Sequence, residues 1–164
     1  MRGKLALLVL VIAVMPAMGA ERLTPSSIRA DIARHGAAAV VDRLWKSGDY
    51  DRIMEKVGEG SDEWLALVPL LGPGADAGAA EDLPIALAYA LPNNPRGVLM
   101  ILRGKNGFSV DEVCGAPFIE PTREQLQNWF ARSRKALETM NDKKLQTMKE
   151  KCALALALSE NPVR

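Results

Sequence analysis

From Ile28 to Leu156 apolar residues return at steps of three and four, and glycine, proline or asparagine interrupts that rhythm every few turns. Steps of three and four place side chains on one face of a helix, and the interruptions keep every helix short. Short helices are marginal alone and must pack on one another. The pattern predicts an all-α fold: one domain over residues 21–164, built of seven or eight short helices as an irregular bundle or helical array, with no strand. A chain of this size buries enough surface to fold without a metal or a dense disulfide framework.

Ser26 or Ser27 is placed to cap a first helix whose apolar face holds Ile28, Ile32, Val40, Val41, Leu44 and Trp45 and which ends at Gly48. Asp49 restarts the pattern with Tyr50, Ile53, Met54 and Val57, before Gly58 and Gly60 stop it. Ser61 opens a segment with Trp64, Leu67, Val68 and Leu71 that Pro69 keeps short or kinked. The stretch Gly72 to Gly78 reads as a loop, a connector or a contact for a partner. The next helix is expected to start close to Pro84 and stop before Pro92. Asn94 and Pro95 then form a start signal, and Lys105-Asn106-Gly107 a turn. Ser109 with Glu112, and Thr122 with Gln125, have capping-box spacing. Asn141 and Asp142 separate the stripe of Leu126, Trp129, Phe130, Leu137 and Met140 from a last helix with Leu145, Met148, Cys152, Ala155 and Leu156.

The first twenty residues carry an address. Arg2 and Lys4 precede an apolar run from Leu5 to Met15, and Pro16 breaks it ahead of the small residues Ala17, Gly19 and Ala20. This is the layout of a cleaved secretory signal peptide, and the run falls short of the ~20 residues that span a bilayer. The expected location is periplasmic or secreted, with no membrane span in the mature form. Export also permits oxidation, and Cys114 and Cys152 make an even pair, so they are expected to form one disulfide. A redox pair is the weaker reading, because Cys-x-x-Cys spacing is absent.

Short helices joined by short turns resemble the arrays of the HEAT-like repeat families, although no repeated unit is visible; the resemblance implies a fold and no function.

The net charge of +1 excludes the strongly basic profile of a nucleic-acid binder, but charge is unevenly placed. Residues 49–82 hold nine acidic side chains against Arg52 and Lys56, whereas residues 120–151 hold eight basic against five acidic ones. Either the two stretches neutralise each other within the fold, or the acidic one faces a basic partner. The candidate face comprises Asp49, Asp51 and Glu55, then Asp62, Glu63 and Trp64, then Asp76, Glu81 and Asp82. Catalytic signatures are missing. His35 is the single histidine and lies on the apolar stripe of the first helix, which favours a partly buried structural role over a base. The Gly72 to Gly78 stretch lacks the lysine and hydroxyl of a phosphate-binding loop. Neighbouring carboxylates such as Asp62 and Glu63, Glu81 and Asp82, or Asp49 and Asp51 do not face each other on a helix. Asp49, Asp62 and Asp82 also stand near expected helix starts, where negative charge is favoured. No cofactor or metal is implied. The reading is a small exported helical protein that binds another protein with a basic surface, in the manner of an inhibitor or immunity protein. The alternatives are a carboxylate-dependent envelope hydrolase and a carrier of a small apolar ligand.

Overall fold

A computed structural model describes residues 23–104 and 107–161. The expected signal peptide and the residues Lys105 and Asn106 lie outside this range. Within it there are ten α-helical segments, seven of them nine residues or longer, and two single 3-10 turns. No strand occurs among the described residues.

The first two helices occupy the stretch where the sequence suggests one. Helix α1 (Pro25–His35) is capped by Thr24. Thr24 Oγ1 accepts from the Ser27 amide at 3.1 Å, and Ser27 Oγ accepts from the Thr24 amide at 3.1 Å. The cap therefore sits before the expected Ser26 or Ser27. Helix α2 (Ala37–Ser47) begins after Gly36, whose φ of 81° and ψ of 156° end α1 in a conformation that costs little only for glycine. A glycine inside a helical pattern is otherwise tolerated, so the apolar period runs through the break undisturbed. His35 is exposed at the end of α1, which corrects the expectation of a partly buried histidine.

The break has a packing reason. After α3 (Asp49–Gly58), α4 (Asp62–Leu65) and α5 (Val68–Leu71), the 3-10 turn Gly72–Gly74 folds back onto the start of α2. A Cβ on Gly74 would lie 2.3 Å from the backbone of Ala37 and Ala38, so two backbones meet where no side chain fits. The glycine-rich stretch is thus inner packing material more than a free loop.

Helix α6 (Ala77–Ala90) starts well before Pro84, contrary to the sequence expectation. An interior proline forfeits one backbone hydrogen bond. Here Ala79, Leu83, Ala86, Leu87, Ala88 and Ala90 are all buried along the helix, and that burial holds the early turns in place. The Tyr50 hydroxyl, itself buried, donates to the Ala79 carbonyl at 2.7 Å and ties the first turn of α6 to α3.

The remaining helices are α7 (Pro95–Arg103), α8 (Val110–Cys114), α9 (Arg123–Thr139) and, after the turn Lys143–Leu145, α10 (Gln146–Glu160). Their starts follow the sequence signals. Asn94 Oδ1 accepts from the Gly97 amide at 2.8 Å. Ser109 and Glu112 form one capping box, Thr122 and Gln125 another. Asp142 caps the turn by accepting from the Lys144 amide at 2.9 Å.

The chain folds as one compact all-α domain, an irregular bundle around α6, on which α3, α7 and α8 pack. The Trp129 indole N–H donates to the Ala88 carbonyl at 2.8 Å and fixes α9 to the same strut. Cys114 and Cys152 form the expected disulfide, with Cα atoms 5.4 Å apart, and join α8 to α10. Both are fully buried, which shields the sulfurs from thiolates in solution.

Candidate functional site

Helices α3 and α6 lie side by side and run in the same direction. Tyr50 meets Ala79 at their starts, Gly58 meets Tyr89 further along, and Asn93 donates to the Gly58 carbonyl at 3.3 Å beyond the end of α6. Two parallel helices in contact leave a furrow on their outer side. That furrow is an open groove of about 540 Å³.

Its floor is apolar and its rim is charged. Met54 from α3 and Ile85, Ala86 and Tyr89 from α6 line the bottom. Gly58 shapes it: a Cβ added there would lie 3.1 Å from Tyr89 Cβ, so even a methyl group would crowd the two helices. Tyr89 is 55% exposed yet braced from behind, with Phe118 at 4.6 Å between ring centres and Phe118 in turn edge-on to Trp129 at 5.0 Å. Aromatic contacts of this kind give a surface residue a fixed orientation.

Glu59, paired with Lys56 at 2.7 Å, lines the groove as well, and Asp51, Glu55 and Asp82 stand on the rim. None of the three has a side-chain hydrogen bond or ion pair among the described residues. Partial burial pushes the Asp82 carboxyl above the usual carboxylate range, and the charges of Asp51 and Glu81 push it the same way. Like charges have been gathered here with no ion pair of their own among the described residues, although Arg132 also lines the groove.

The nine candidate residues therefore separate. Asp51, Glu55 and Asp82 come together in the groove. Glu81 lies close enough to act on Asp82 but does not line it. Asp49 pairs with Arg52 at 3.2 Å and accepts from Ser47 at 2.9 Å. Asp62 accepts from Asn94 at 2.7 Å. Asp76 belongs to a separate hollow beside Trp45, and Glu63 is exposed elsewhere. Trp64 packs half-buried against the core. Asp82 sits in the middle of α6 rather than at a helix start, so the macrodipole does not account for it.

The groove also contains residues that carry no site signal in the sequence: Met54 and Ile85 read as core positions, Arg132 as one of the eight basic side chains of residues 120–151, and Tyr89 and Asn93 stand in no motif. Only the step of three and four from Asp82 through Ile85 and Ala86 to Tyr89 carried a signal, and it marks an ordinary helix face.

The acidic and basic stretches approach each other at the groove, where Arg132 shares the lining with Asp51, Glu55 and Asp82, but they are not ion-paired. No ion pair among the described residues joins residues 49–82 to residues 120–151. Part of the basic stretch is used locally: Lys149 donates to the Met140 carbonyl at 2.9 Å, where a cation suits a helix end, and Arg134 pairs with Glu160. Among the described residues there is no group of three or more histidine, cysteine, aspartate or glutamate side chains placed to hold a metal ion. No described helix is long and apolar enough to cross a membrane. Comparison of the chain with protein-family models, curated proteins and solved structures finds no significant match.

Proposed function

We propose that this is an exported protein that binds another protein through the α3–α6 groove, occluding a basic surface of its partner as an inhibitor or immunity protein does. One observation carries the reading: Asp51, Glu55 and Asp82 share the rim of an apolar groove and have no ion-pair partner among the described residues. Unpaired charge over apolar surface is what an interface needs before its partner arrives. The charges steer a basic partner in, and the Met54, Ile85 and Tyr89 floor holds what it inserts. Export is supported by the basic and apolar pattern of the first twenty residues and by the disulfide.

The hydrolase reading takes a raised carboxyl beside a second carboxylate, which Asp82 and Asp51 supply. Asp51 and Glu55 are exposed, however, and such chemistry relies on a site that excludes water. A carrier for an apolar ligand needs an enclosed cavity, and this groove is open along its length. Binding of a protein surface fits both properties.

The test is capture from the envelope extract of the source cell at low and high salt, followed by titration of the purified captured protein. A basic partner that binds the native chain and loses at least about tenfold in affinity to the triple variant Asp51→Asn, Glu55→Gln, Asp82→Asn supports the reading, since each charge pair removed weakens binding by up to about 1 kcal/mol. Equal affinity for the native chain and the triple variant overturns it.

A further inference from the structure

The acidic groove ends at a cation. Arg132, from α9, lines the end near Asn93, and its guanidinium donates to the Asn93 side-chain oxygen at 2.7 Å. That amide is neutral, and no carboxylate pairs with Arg132 among the described residues. Asn93 and Arg132 also line a second groove of about 500 Å³ that continues past them, bordered by Lys135, Ala136, Thr139 and Met140. No carboxylate lines this second groove, and Lys135 has no ion-pair partner among the described residues.

The two grooves share Asn93 and Arg132 and thus form one track; Glu59, which lines it next to Gly58, is already paired with Lys56 at 2.7 Å, so the charges without an ion pair among the described residues are acidic at one end and basic at the other. Asp51 and Asp82 mark the acidic end, Tyr89 lies about 10 Å further along α6 by helical rise, and Arg132 with Lys135 marks the basic end. Resting on the reading of the groove as a protein-binding site, we infer that its occupant is a partner segment with a basic group, a large apolar side chain and an acidic group in that spatial order. The basic group lies between Asp51 and Asp82, the apolar side chain on the Met54 and Tyr89 floor, and the acidic group on Arg132 and Lys135. A uniformly basic segment fits the first two places and is repelled at the third. The track therefore selects against proteins that are merely positive, which an acidic patch alone does not do.

Two capped synthetic peptides test this, one with lysines, a phenylalanine and glutamates in that order, the other with lysines in place of the glutamates. Binding is followed by fluorescence anisotropy at low salt, and the contact by the amide shifts of Tyr89 and Arg132. The bipolar peptide is expected to bind about fivefold tighter to the native chain. In Arg132→Glu the preference is expected to reverse, and in Arg132→Met with Lys135→Met to vanish, with unchanged circular dichroism showing that both variants fold. If the all-lysine peptide binds the native chain as well as the bipolar one, or if the Arg132 variants keep the native preference, the inference falls while the acidic groove survives. If neither peptide binds, the inference and the functional reading fall together.

Discussion

The α8–α10 end and the α3–α6 face of this molecule are built on opposite rules. At the first, a capping box at Ser109, a buried disulfide and a Lys149 cation on the carbonyl end of α9 each satisfy a group that would otherwise lack a partner. At the second, Asp51, Glu55 and Asp82 have no ion-pair partner among the described residues, and Tyr89, braced by Phe118, is 55% exposed beside them. Asp51 and Glu55 are exposed, so water rather than the chain solvates the groove's carboxylates. On the reading proposed above the groove's charges serve a partner, and the difference makes the two regions separately breakable.

The largest effect belongs to the stapled end. Replacing both cysteines, Cys114→Ser with Cys152→Ser, removes the closure of a loop spanning 38 positions, which in the chain-entropy picture costs about 4 kcal/mol. Thermal unfolding should show a large drop in midpoint, while the variant, kept well below that midpoint, still binds the bipolar peptide. Loss of binding before unfolding would show that the two regions are coupled and would break the comparison.

Next comes Gly74→Ala. Its Cβ would sit 2.3 Å from the backbone of Ala37 and Ala38, and backbone cannot yield as a side-chain tip can. Overpacking of this kind costs about 1–3 kcal/mol, read as a lower denaturant midpoint with an unchanged slope. A neutral result would mean that the α1–α2 break and the turn against it are loosely packed.

Ser133 sharpens the contrast from the other side. It is fully buried on α9, and its hydroxyl lacks a hydrogen-bond partner among the described residues. Ser133→Ala should raise stability by about 1 kcal/mol, because an unsatisfied buried hydroxyl is exchanged for a methyl. A loss in urea titration would reveal a partner for that hydroxyl.

What was legible in the sequence divides along the same line. The cap at Asn94 and the boxes at Ser109 and Thr122 could be read because each is closed by residues three positions apart. The disulfide followed from there being two cysteines to pair. Gly36 and Pro84 misled because tertiary packing overrode local preference: the close approach of Gly74 sets one helix break, and the buried face of α6 carries its helix through a proline. The acidic bias of residues 49–82 was visible, but not which of its members share a groove. Asp51 and Asp82 meet only because α3 and α6 run parallel with two short helices and a turn between them, and Arg132 arrives from a third helix. No spacing in the sequence encodes those meetings.

The smallest effect separates binding from stability most cleanly. Asp82 has its carboxyl pushed above the usual range, first by partial burial and then by Asp51 and Glu81. A folded-state pKa above the unfolded value means that the folded chain holds this proton more tightly. The stability it contributes is fully present below the unfolded pKa and is lost as pH rises through the raised value. At neutral pH the ionised carboxylate is therefore a slight burden on the fold. Asp82→Asn should make the protein more stable at neutral pH, by less than about 1 kcal/mol for a side chain so open to solvent, with the gain fading as the pH falls below the unfolded carboxylate range. The same substitution should weaken the bipolar peptide, so stability and affinity move in opposite directions in one variant. Melting curves and anisotropy titrations across that pH span read both. A variant that loses stability at neutral pH would mean that Asp82 supports the fold, and the groove would then be no different in kind from the stapled end.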